Sequence, residues 1–292
     1  MSSLLPQLII NGILLGGIYS LISIGLTLIF GVVRIVNFAH GEFLMLSLYA
    51  AFWLKSLAGL DPYPSLLLVV PLLFLAGLIA HRLVIQPILE APSYMQIFAT
   101  VGLSVAMQNL ALFFWKADFR TVESFCSHSA LQIGTLVAAA PKLIAFGASA
   151  LATIFLHFFL QRTYLGRAIR AVVQDREASQ LMGIDIYRIY LFTFGLGTAC
   201  VGLAGGLMAP IYAIFPTVGV YFVLTAFVVV VLGGLGSLPG AFLGGLIIGV
   251  VESLAGFFIS PQLKEAVYFV IFLAVLIARP SGLLGQMGAE EL

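Results

Sequence analysis

Charge is what this sequence has least of. Only 9% of its 292 residues are Asp, Glu, Lys or Arg, against about a quarter in a soluble globular domain. The formal net charge of +1 is too small to make a field that would gather nucleic acid. Cysteine is nearly absent: Cys126 lies in a polar stretch and Cys200 in an apolar run, so no disulfide framework is expected. No Cys/His cluster has metal-ligand spacing. No basic segment precedes the first apolar run, and that run, Leu4 to Phe30, is too long for the core of a cleavable signal. It reads as a first transmembrane helix. No Pro- or Ser-rich linker divides the chain, so one membrane domain over 1–292 is expected, with no soluble catalytic domain attached.

What the sequence has in abundance is apolar surface: 62% hydrophobic residues and a mean hydropathy of +1.15. A water-soluble core could not hide this much. Spans of about 20 apolar residues are expected near 5–30, 38–57, 64–83, 94–115, 142–161, 188–212, 238–258 and 263–279. A shorter run at 221–234 ends in Leu-Gly-Gly-Leu-Gly-Ser and reads either as a short span or as a half-helix breaking at the glycines. The expected fold is all-α, a polytopic bundle of eight to nine spans.

With nine spans and the N-terminus outside, one side collects 8 of the 13 basic residues, five of them arginines of the stretch 162–188. The excess of Lys and Arg on cytoplasmic loops makes that side cytoplasmic. The N-terminus and the polar stretch 116–141, around Ser124, are then periplasmic. The loop around Ser179 and the C-terminus are cytoplasmic.

Glycine is frequent, at 30 residues, and small-xxx-small pairs recur at Gly12/Gly16, Gly202/Gly206, Gly236/Gly240, Gly240/Gly244 and Gly245/Gly249. Such pairs let helix backbones approach closely in lipid.

The loop 162–188 is the most informative polar segment. A first short helix, from about Leu165 to Val173, places Arg167 and Arg170 opposite Ala168, Ile169, Val172 and Val173. Asp175 is a plausible N-cap for a second helix. In that helix Ala178, Leu181 and Met182 fall on one face, beside Glu177. Gly183 stands where a helix stops in the left-handed conformation. The apolar ridge needs cover. A partner's groove is one solution; lying on lipid headgroups beside its arginines is the other.

Glu177-Ala178-Ser179-x-x-x-Gly183 resembles the start of the EAA loop of ABC importer permeases. That loop carries the coupling helix that docks into a cleft of the ATP-hydrolysing subunit. The downstream Ile-x-Leu-Pro of the general motif is not evident, a departure expected of the branched-chain amino acid subgroup. That subgroup is resembled over nearly the whole chain. Asn11 to Leu46 looks like its opening, Gly166 to Ile184 like its cytoplasmic loop, and Val229 to Leu254 and Ala278 to Gly285 like its C-terminal third. The resemblance implies a permease subunit in the bacterial inner membrane that is not itself an enzyme. It implies a second permease subunit, a paralogue rather than an identical copy, two ATPase subunits that use ATP and magnesium, and a periplasmic binding protein that delivers substrate. No cofactor is expected on this chain. Urea or short amides remain alternative substrates within the same class.

Intramembrane polar residues are costly and therefore informative. Asn37, His40 and Glu42 open the second span, Asn109 follows Gln108 in the fourth, and Glu252 lies inside a later one. Each reads as a gate or pathway element or as a hydrogen-bonded anchor. The interface position favours the anchor for Glu42, and helix-to-helix glue is the commoner role for Gln108 and Asn109. An ion-coupled secondary transporter is a rival reading, but its carboxylates would have to cluster, and here they are scattered. An intramembrane enzyme using His40 and Glu42 lacks the His-Glu-x-x-His spacing and any nucleophile beside it.

Overall fold

In the computed structural model, which describes residues 4–134, 136–279 and 281–285, a long central helix organises the chain. This is α1, Leu4–Val33, and from Gly12 onward it is almost wholly buried. The others follow as α2 (His40–Ala58), α3 (Pro62–Ala80), α4 (Ser93–Trp115), α5 (Ala140–Arg162), α6 (Tyr164–Gln174), α7 (Arg176–Leu181), α8 (Ile186–Met208), α9 (Val218–Gly233), α10 (Leu238–Phe258) and α11 (Lys264–Ala278). The helix α3 runs on through a π-helical turn, His81–Ile85, and a 3₁₀ turn to Ile88.

Small residues decide which helices sit at the centre. α1 packs most extensively on α10 and also on α8, α5 and α9, while α3 lies along α8. Gly12 and Gly16 of α1 face Gly245 and Gly249 of α10 so closely that a β-carbon on any of the four would strike opposing atoms. Hydroxyls finish the contacts. Ser20 Oγ donates to the Phe242 carbonyl at 2.8 Å, Ser253 Oγ to Leu8 at 2.8 Å, and Ser47 Oγ of α2 to Gly202 of α8 at 2.6 Å. Without water as a competitor, close approach and such bonds hold helices together. The periphery is different. α4, α5 and the outer side of α3 expose Leu67, Phe113 and Phe155, which suits lipid and not water.

Among the described residues, six helices are long and apolar enough to cross a membrane: α1, α3 with its continuation, α4, α5, α8 and α10. The other three expected spans are also helices. α2 has 19 residues but carries His40, Glu42 and Lys55. α9 and α11 have 16 and 15 residues, a rise of about 22–24 Å against a hydrocarbon core of about 30 Å. The glycine break after α9 is a tight turn, with Gly234 and Gly236 at φ 103° and 80°. The segment 281–285 stitches onto it through Leu283 N–H to Leu232 and Leu284 N–H to Gly233.

Two expectations need correction. The sixth expected span, 188–212, ends at Met208, because Pro210 has no N–H with which to continue the helix. The polar stretch 116–141 is not merely a loop. It contains an antiparallel hairpin, β1 (Ala130–Ile133) with β2 (Leu136–Ala139), Ala130 opposite Ala139. Gln7 of α1 ties the hairpin down by bonding both backbone groups of Val137. Arg120 exchanges two backbone hydrogen bonds with Ile214 and lays its guanidinium over Phe52 and Trp53. The bundle thus has a hairpin face and an opposite, arginine-rich face. The terminal residues 1–3 and 286–292, on which the expected terminal orientation bears, lie outside the described residues.

Candidate functional site

The arginine-rich face is built by α6 and α7. Thr163 caps α6, accepting from the Gly166 N–H at 3.0 Å. Gly166 must be glycine, since a β-carbon there would meet the backbone of Phe159 and Leu160. Ala168, Ile169 and Val172 are buried against the bundle, while Arg167 and Arg170 point outward; Val173, expected on the buried side, is exposed near the end of the helix. Arg170 borders a cavity of about 450 Å³ shared with Thr27, His157 and Ser237. The first amphipathic helix therefore finds its cover inside this chain.

The second helix does not. Asp175 Oδ1 accepts from the Ala178 N–H at 2.9 Å, and Gly183 has φ 83° in open space. Cap and stop are thus both where the residue types require them. Between them only Ser179 is buried. Glu177 and Ala178 are exposed, Leu181 is 88% exposed and Met182 82%. Beside this ridge, Glu90, Arg176, Gln180 and Asp185 line a polar depression of about 430 Å³.

The residues opening α2 form a buried polar knot. Asn37 Oδ1 accepts from the Ala39 N–H at 3.1 Å, and His40 Nε2 lies 3.0 Å from the Ile22 carbonyl of α1. Glu42 is fully buried, and its Oε1 accepts from Gln108 Nε2 at 2.7 Å and Ser104 Oγ at 3.1 Å, both on α4. Asn37 Nδ2, His40 Nδ1 and Glu42 Oε2 have no protein partner. Asn109 does not join them. It sits on the exposed side of α4 and donates to its own helix at Val105.

Glu252 lies toward the other end of the bundle. It is 6% exposed, and its Oε1 is 2.5 Å from Lys264 Nζ at the start of α11. Both border a cavity of about 310 Å³ on the hairpin side, with Tyr19, Tyr212, Phe222 and Tyr268. Lys264 and these tyrosines escape a reading of the sequence, because their only signal is spatial. The same holds for His81, buried in the π-helical turn with no protein partner at either ring nitrogen. Such turns concentrate at functional sites. Among the described residues no group of three or more His, Cys, Asp or Glu is placed to hold a metal ion.

Fold and site together define a multi-pass α-helical membrane protein with one unpartnered, capped helix on a basic face. The chain belongs to the branched-chain amino acid transport system permease component family, whose model matches residues 8–276. It is 31% identical to the high-affinity branched-chain amino acid transport system permease protein BraD of Pseudomonas aeruginosa, over 98% of this chain and 97% of that one. It is 32% identical to the corresponding LivH of Salmonella typhimurium, with the same coverage. A probable branched-chain amino acid transport permease protein LivH of Methanocaldococcus jannaschii is 27% identical over 96% of this chain and 92% of its own. No solved structure matches.

Proposed function

We propose that this chain is the transmembrane permease subunit of an ATP-driven importer that moves branched-chain amino acids into the cytoplasm. Its partners are a paralogous permease, two ATPase subunits that bind ATP and magnesium, and a periplasmic binding protein. The carrying observation is the exposed ridge of Leu181 and Met182 on a capped helix. An apolar ridge rigidly presented between charges fits a partner's groove. The neighbouring α6, which buries its own apolar side, shows no such need. The relatives' names supply the substrate class.

In this reading the arginine-rich face is cytoplasmic, in the inner membrane, and 162–188 is the coupling loop of one membrane domain. Arg167, Arg170, Asp175, Glu177, Ala178, Leu181, Met182 and Gly183 form or frame the docking surface. ATP closes the ATPase pair, moves the docked helices and tips the bundle between inward- and outward-open states. Each ligand drives the cycle only in so far as it prefers one state. Asn37, His40 and Glu42 hold the entry of α2, where a gate would act.

The test is a complex reconstituted in proteoliposomes. ATP hydrolysis should rise with binding protein loaded with leucine, isoleucine or valine, and labelled substrate should enter only with ATP. Uptake driven equally by a proton or sodium gradient would replace this reading with a secondary transporter. Stimulation by urea- or amide-loaded binding protein alone would keep the mechanism and change the substrate.

A further inference from the structure

We propose that the cavity around Glu252 and Lys264 is a subsite for the α-ammonium and α-carboxylate of the transported amino acid, an inference that rests on the amino-acid import reading above. A carboxylate inside a membrane helix is expensive and needs compensation. Glu252 is compensated by half: Lys264 Nζ meets Oε1, while Oε2 is buried without a protein partner. An ammonium carries three donors, and that of Lys264 has a single acceptor. The pair thus leaves one acceptor, itself covered, and two donors unpaired at the wall of one cavity. An α-amino acid is the complement of that set, with three donors on one carbon substituent and an acceptor on the next.

The rest of the wall fits the same ligand. Phe222 stands between Tyr19 and Tyr212, with ring centroids 6.3 and 5.3 Å away. Aromatic faces hold an ammonium and equally accept a branched aliphatic side chain. Tyr268 is fixed by Thr225, whose Oγ1 is 3.1 Å from the tyrosine hydroxyl. The volume, about 310 Å³, is at the small end of ligand cavities and suits one amino acid. The pair, Glu252 buried and Lys264 partly exposed, carries no net charge; the third charged group on the wall, Glu265, is exposed. A zwitterion can therefore enter and leave without a counterion, as a transport site requires. The alternative is that the pair only ties α10 to α11.

Photo-crosslinking separates the two. Membrane vesicles carrying the full-length chain are irradiated with a diazirine analogue of leucine at millimolar concentration, and adducts are mapped by mass spectrometry. Adducts should fall on peptides containing Tyr19, Tyr212 or Tyr268. L-leucine should compete, whereas isoamylamine and isocaproate, each with one of the two charges, should not. Glu252→Gln should cut the labelling by roughly tenfold or more, the loss of a hydrogen bond to a charged group. Because that variant strands Lys264, the neutral double variant Glu252→Gln/Lys264→Gln is measured beside it. It should melt like wild type yet remain unlabelled. Absence of adducts here in the folded wild type, labelling unchanged in the double variant, or equal competition by the amine alone would each overturn the subsite. The readout needs no ATP and no binding protein. Failure of ATP-driven uptake would thus leave it standing, and normal uptake without adducts here would strike the subsite alone.

Discussion

Gly12 of α1 and Gly249 of α10 meet backbone to backbone: a β-carbon on Gly12 would lie 2.9 Å from the Gly249 carbonyl oxygen, and one on Gly249 would strike the Gly12 carbonyl oxygen. Neither helix can yield, because Gly16 and Gly245 repeat the contact one turn away. The interface at the heart of the bundle exists only because four positions lack side chains.

Gly249→Leu should therefore lower stability by about 1–3 kcal/mol or prevent assembly, the usual cost of overpacking. Gly102, with open space around it on α4, is the control. Gly102→Ala should stay within about 1 kcal/mol of wild type, on the stabilising side. Thermal melting in detergent reads both, and equal melting of the Gly249 variant and wild type would contradict the packing.

The ridge of α7 should be dispensable for folding and necessary for coupling. Leu181→Arg and Ala178→Arg change exposed positions, so insertion and melting should hold while ATPase pull-down and uptake are lost. Gly183→Ala should be milder. It meets no atom and suffers only the left-handed backbone, a cost of about 1–2 kcal/mol. Full uptake and unchanged ATPase association in the two arginine variants would remove α7 from that role.

Topology is testable with single cysteines in a background lacking Cys126 and Cys200. Ser124 and Ser179, the centres of the two loops in sequence, are buried and would label poorly. His128 on the hairpin face and Gln180 on the arginine-rich face are exposed. An impermeant maleimide should label His128→Cys in intact cells and Gln180→Cys only after permeabilisation. The reverse pattern would invert the orientation.

Glu42 and Gln108 should be energetically coupled. α4 is largely exposed, and the Glu42 carboxylate takes both its protein hydrogen bonds from that helix. Gln108→Leu should cost about 1.5–3 kcal/mol, the value of a hydrogen bond to a charged group. The same change in a Glu42→Gln background should cost less. A double-mutant cycle by detergent melting measures the difference, and additive effects would deny the link.

The sequence went far toward the helices and the caps. Apolar runs of about 20 residues have few alternatives in lipid, because an unpaired backbone group there is so costly. The run 238–258 appears as α10 with those bounds. Asp175 and Gly183 act through their own backbones, so their cap and stop were legible from residue type alone. The hairpin at 130–139 was not. Its strands are four residues each, too short for a periodicity, and its anchor, Gln7, lies more than 120 residues earlier.

By itself, then, the sequence determined that this protein lives in a bilayer, where its helices lie, and that α7 offers an apolar ridge, since each follows from local composition and spacing. Only the tertiary structure decided that α6 buries its apolar side while α7 does not. It alone placed Asn109 on the outer side of α4, away from the knot that Gln108 joins. It alone gave Glu252 a lysine on one oxygen and no hydrogen-bond partner on the other. Burial and pairing are properties of what comes near in space, and a carboxylate twelve residues from its lysine carries no mark of the partner until two helices fold it into reach.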